Sequence, residues 1–144
     1  MIKIKRVYEE SDISDGQRVL VDRLWPRGVR KDQAQIDVWL QDLAPSHGLR
    51  QWFAHDPRRW TGFEQRYWGE LNHPDKTPFL EDLISRARKG NVTLIYTAHD
   101  KEMNNAVVLK NFLEQCLSSF DQHRTCPETA EKELTTPRRL SNQV

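Results

Sequence analysis

The stretch VDRLWPRGVRK, residues 21–31, sets Asp22, Arg23, Trp25 and Arg27 around a Pro-Arg-Gly loop. An arginine stays charged at every accessible pH, and its planar fork grips a phosphate or a carboxylate through two parallel N–H bonds. A second polar group follows the run VTLIYT: Tyr96, His99 and Asp100, then Asn104 and Asn105. If the apolar runs before these groups are neighbouring parallel strands, both groups overhang the crevice where loops and helix N-termini converge on ligands. The pattern then predicts a non-covalent pocket for a small anion: a phosphate, a carboxylate or a nucleotide-like ligand. Arg23 and Arg27 hold it, Asp22 and Asp100 orient the guanidinium groups, Asn104 offers an amide, Trp25 covers the site and Tyr96 lines it. The competing reading pairs the arginines internally with Asp22 or Asp100, which fixes the loop and binds nothing. Trp25 is as well suited to being a lid on the core.

Two other chemistries fit the letters. A hydrolase or transferase acting on a glycosidic or phosphate bond needs a general base; Asp100 or His55 acting through water are the candidates, with His99 at a ligand-facing position. A nucleic-acid-binding module would use Arg58, Arg59 and Arg66 together with Arg23 and Arg27, although a formal net charge of +1 lends it nothing from overall charge. Covalent mechanisms have no footing, since neither cysteine ends a strand and no Gly-x-Ser-x-Gly elbow is present. No Gly-rich phosphate loop or other cofactor motif occurs, so no cofactor is expected. His55-Asp56 and His99-Asp100 invite a metal, but adjacent residues diverge, and no H-x-x-x-H or C-x-x-C spacing accompanies them. No metal site is expected. Asp56 reads as a helix cap, and His47, His73 and His123 as surface.

The elements that must position these residues are legible. Ile2 to Val7 alternates apolar and basic residues, which suits an outer strand with one wet face. Val19, Leu20 and Val21 are contiguous, as in a strand covered on both faces. Ile36, Val38 and Leu40 alternate and suggest a third strand, with a short helix as the rival. Ser46 caps a helix carrying Leu49, Trp52 and Phe53. Asp56-Pro57 opens another, with Trp60, Phe63, Tyr67 and Leu71 on one stripe. Thr77-Pro78 opens a third, carrying Leu80, Leu83, Ile84 and Ala87 and ending at Gly90, a position suited to left-handed backbone. VTLIYT is the central strand. Asn104 to Ser118 forms the last helix, with Cys116 in its buried stripe.

The chain of 144 residues holds 37% hydrophobic and 30% charged residues, the make-up of one polar α/β domain. The expected fold is a small, mostly parallel sheet of about four strands flanked by helices over 1–118. Residues 119–144 read as a polar, disordered tail. No run reaches the roughly 18 apolar residues of a membrane span and no leader is visible, so a cytoplasmic protein with no membrane partner is expected. Its two cysteines, Cys116 and Cys126, would then stay reduced.

RVLVDRLWPRG (18–28), DLAPS (42–46), WFAHDPRRW (52–60), F-x-x-R-Y (63–67) and VTLIYTAHD with N-x-A-V-V-L (92–109) together resemble the YeaO-like branch of the DUF488 family. The resemblance spans about residues 2–118 and implies a small bacterial α/β protein with no assigned activity. Asp22, Arg23, Arg27, His55, Asp56 and Asp100 match the branch pattern. The broader family is similar to a Cys-Ala-Glu, then Cys-His-Arg, pattern; here Tyr96 replaces the first cysteine, and Asn104, Asn105 and Ala106 lie near the second. Where branch members read His-Asn-His before the last helix, this chain has Met103, Asn104 and Asn105.

Overall fold

The computed structural model describes residues 1–123, and the side chains of 1–118. Four strands form one sheet: β1 (Ile2–Arg6), β2 (Gln17–Leu20), β3 (Val38–Trp39) and β4 (Val92–Tyr96). Their order is β1-β4-β2-β3 and each pairing is parallel. The register sets Ile2 beside Val92, Arg6 beside Tyr96 and Val19 beside Leu94. Every residue of β4 is buried, as its unbroken apolar run requires of an inner strand. The alternating β1 lies at the edge, as expected. The third strand exists but keeps only two residues. The sequence did not announce α1 (Lys31–Ala34), a single turn ahead of it.

The helices α2 (His47–Phe53), α3 (Trp60–Leu71), α4 (Thr77–Lys89) and α5 (Asn105–His123) follow the expected spans closely. Ser46 Oγ accepts the Leu49 N–H at 3.2 Å, and Asp56 Oδ1 accepts that of Arg58 at 3.0 Å, so both predicted caps form. Pro57 begins a 3-10 turn (Pro57–Arg59) that leads into α3. Two expectations are corrected. Gly90 has φ 173°, extended backbone open to any residue, and among the described residues the left-handed positions are Gly16, Gly28, Gln35, Ala54 and His55 instead. The tail does not begin at 119, because α5 continues through His123; the rest of that segment, 124–144, lies outside the described residues.

The sheet is covered unequally. On one face Val19, Val21, Val92, Leu94 and Tyr96 join the buried stripes of α2 to α5 in a single core that includes Cys116. On the other, Leu20, Ile95 and Val7 are covered by Trp25, Val29, Ile36 and Trp39, so a loop takes the place of a helix there. Trp25 and Trp39 meet edge to face with centroids 5.5 Å apart, which adds a favourable quadrupolar contact to the area they bury. Among the described residues no helix is long and apolar enough to cross a membrane.

At the N-terminal end of the strands a charged cluster is enclosed. Asp15 and Arg18 are 1% and 4% exposed, and Arg18 Nη1 donates to Asp15 Oδ2 at 2.6 Å. The remaining Arg18 donors reach the Gln35 and Ala34 carbonyls at 3.1 Å, which ties the C-terminal end of α1 to β2. Lys5 Nζ reaches Asp15 at 3.0 Å.

A candidate anion site at the carboxyl ends of the strands

Because all four strands run the same way, the residues following β1, β2 and β4 share one rim. Asp22 braces it. Its Oδ2 accepts the Thr97 N–H at 3.0 Å and the Thr97 hydroxyl at 2.6 Å, and its Oδ1 accepts Asn105 Nδ2 at 3.0 Å. The same amide donates to the Val21 carbonyl at 3.1 Å, so one side chain joins the ends of β2 and β4 to the start of α5. The expectation that Asp22 orients the arginines is corrected: neutral donors occupy it.

Beside this brace lies a cavity of about 540 Å³ whose wall carries Arg6, Arg23, Arg27, Arg50, His55 and His99. Trp25, Phe53, Phe63 and Tyr8 give it aromatic surface, and Asn104 and Asn105 also reach it. Neither Arg23 nor Arg27 forms an ion pair among the described residues, so internal pairing does not account for them. Arg23 Nε is buried, and among the described residues no acceptor reaches it. An uncompensated guanidinium nitrogen out of water is costly, and an anion is the group best able to relieve it.

The loop that carries these arginines is built by local rules. Trp25 Nε1 donates to the Val29 carbonyl at 2.7 Å and Val29 N to the Pro26 carbonyl, closing a turn with Arg27 at its apex. Trp25 thus braces the loop and caps the smaller core while also lining the cavity. Gly28, third in the turn, has φ 76° with open space where a Cβ would stand. Gly28→Ala should therefore cost about 1 kcal/mol through backbone strain alone, visible as a lower urea midpoint.

The other sequence candidates separate. Tyr96 is 2% exposed and faces the larger core rather than the cavity; burial pushes its phenol above the ordinary value. Asp100 lies outside the cavity wall. Its Oδ1 accepts the Met103 and Glu102 N–H groups at 2.9 and 2.8 Å, and those bonds hold its carboxyl below the usual range. It shapes the turn into α5 and is not aimed at the arginines. Asn104 caps α5, accepting the Val107 N–H at 3.0 Å and donating to the Asp100 carbonyl at 2.8 Å. His55 lines the cavity from a left-handed backbone (φ 58°) that follows another at Ala54 (φ 49°), an arrangement that L-residues adopt at a cost. Among the described residues no hydrogen bond fixes its ring, although Asp100 acts on it electrostatically. His99 Nδ1 is 3.2 Å from Arg6 Nη2.

Arg6 and Arg50 were missed. For Arg6 a signal existed: with β1 parallel to β4, its register partner is Tyr96, at the rim. Arg50 gave none, because its place depends on how α2 crosses the strand ends. Arg58, Arg59 and Arg66 turn elsewhere. Arg58 pairs with Asp56 at 3.2 Å, Arg59 bonds the Trp52 carbonyl, and the Arg66 guanidinium lies 4.2 Å from the Trp52 ring centre. Among the described residues no cluster of potential metal ligands is present.

Comparison with known proteins agrees on kinship. An uncharacterized protein of Mycobacterium tuberculosis (strain ATCC 25618 / H37Rv) is 40% identical over 112 residues, covering 78% of this chain and 92% of the relative. The uncharacterized protein YeaO of Escherichia coli (strain K12) is 39% identical over 113 residues, covering 78% and 96%. No solved structure matches. Residues 1–131 match the family model DUF488-N3i, described as "Inactive DUF488-N3 subclade", and the chain belongs to this YeaO-like branch of DUF488.

Proposed function

We propose that the rim cavity is a non-covalent binding site for a small anion of the phosphate or carboxylate type. The observation that carries this reading is the buried Arg23 Nε with no acceptor, in a wall with three further guanidinium groups and one carboxylate already engaged by three donors. Four fixed cations against one anion leave the cavity strongly electropositive in a protein whose overall charge is close to zero. Binding, rather than turnover, is favoured by two things: the Asp100 carboxylate is tied to backbone N–H groups and is not part of the cavity lining, and the matching subclade is described as inactive.

The test is calorimetry and thermal shift with inorganic phosphate and nucleoside monophosphates. A ligand at one hundred times its Kd should stabilise the wild type by about 2.7 kcal/mol. Arg27→Ala removes an exposed apex side chain without touching the core, so its unliganded stability should match wild type within about 0.5 kcal/mol. Its affinity should fall about 10- to 100-fold, the worth of one charge-assisted contact. If no anion distinguishes wild type from variant, the proposal fails.

A further inference from the structure

We propose that this cavity selects fully ionised anions that only accept hydrogen bonds, such as a phosphate-monoester dianion or sulfate, over protonated forms of the same ligands. The inference rests on the anion-site reading and adds a chemical class to it.

The wall is rich in donors, and its one carboxylate already accepts three hydrogen bonds, which leaves the His55 ring and Asn105 Oδ1 as its less engaged acceptors among the described residues. Arg6 Nε donates to the Thr97 and Ala98 carbonyls at 3.1 and 2.9 Å. A guanidinium has no acceptor, so in the Arg6–His99 contact Nδ1 must accept, and the neutral His99 ring carries its proton on Nε2. His99 therefore adds a donor. The carboxylate oxygens of Asp22 are engaged by Thr97 and Asn105, Asn104 Oδ1 by the Val107 N–H, and the Arg27 carbonyl by the Tyr8 hydroxyl at 3.2 Å.

A phosphate monoanion brings a P–OH that needs an acceptor, and at Asp22 it would compete with three donors already in place. A dianion asks only for donors, and it also meets the larger share of the cationic excess. The ionisable groups on this wall are Tyr8, Asp22, His55 and His99, with Asp100 acting electrostatically on His55, beside the guanidinium groups of Arg6, Arg23, Arg27 and Arg50. Any positive charge the wall gains as pH falls strengthens both anions alike. Ionisation of the ligand acts in the opposite direction.

Inorganic sulfate, a dianion at every pH concerned, separates the two effects. Affinities for phenyl phosphate and for sulfate are measured by calorimetry at pH 5 and pH 7.5. Their ratio should rise about tenfold in favour of phenyl phosphate, because a phosphate monoester loses its second proton near pH 6. A ratio that is flat or falls with pH overturns the dianion selection while leaving an anion site in place. Absence of binding by either probe at both pH values overturns the underlying reading itself. Arg50→Gln, at an exposed position of α2, should weaken both probes about fivefold and leave their ratio alone. Unchanged affinities in that variant would put the bound ion outside this cavity and sink the proposal.

Discussion

Asp15→Asn is expected to lower stability by about 3–5 kcal/mol, because it leaves the enclosed Arg18 guanidinium without its counter-charge. The replacement keeps the size of the side chain, so the loss is electrostatic. Arg18 cannot escape by releasing a proton, and its other donors are fixed on the Ala34 and Gln35 carbonyls. A urea midpoint equal to wild type, at unchanged slope, would show that the pair contributes nothing.

The same site sets an acid limit. Burial alone would raise the Asp15 carboxyl, but hydrogen bonds from Lys5, the Asp12 N–H and Arg18 outweigh it and hold the carboxyl below its ordinary value. A carboxyl depressed in the folded state contributes stability that is fully present above the unfolded value, near pH 4, and is lost as pH falls through the lower folded value. Between pH 5 and 3 the wild type should therefore lose stability more steeply than Asp15→Asn. Parallel profiles would contradict the assignment.

Asp22→Asn should have effects of opposite sign on stability and binding. An amide cannot accept from the Thr97 N–H, the Thr97 hydroxyl and Asn105 together, so the joint between β2, β4 and α5 loosens by about 2–3 kcal/mol. Removing the one carboxylate from the cavity wall also removes its repulsion, and affinity for inorganic phosphate should rise about threefold or more. Chemical denaturation and calorimetry on one preparation measure both. Weaker phosphate binding in a variant that remains folded would mean that Asp22 holds the ligand and does not oppose it.

Periodicity made the scaffold readable. The stripes of α3 and α4, the caps at Ser46 and Asp56 and the apolar run of β4 are each local consequences of side-chain spacing, and each formed where expected. The site was legible only in part. Arg23, Arg27, Trp25 and Asn104 come together because strand ends in a parallel sheet share a rim, which the order of elements already implied, whereas His55 arrives from the end of α2. The role of Asp22 was not legible, since its partners are a backbone amide, a hydroxyl and an asparagine, none of which stands out as the complement of a carboxylate. The Asp15–Arg18 pair was hidden for a related reason. Nothing in the spacing of Asp15 and Arg18 marks them as an enclosed pair, and only the packing of α1 over β2 encloses them.

The sheet order has a consequence for how the protein comes into being. β1 is made first, yet its neighbour is β4, and the inner position between β1 and β2 stays empty until residues 92–96 have been synthesised. Only β2 and β3 find each other early, over two residue pairs. On a translating ribosome the nascent chain must carry two unpaired strand edges through most of its synthesis, the situation in which chaperones are engaged and folding is slow. The alternating lysines of β1, Lys3 and Lys5, keep that waiting edge charged and discourage it from pairing with another chain.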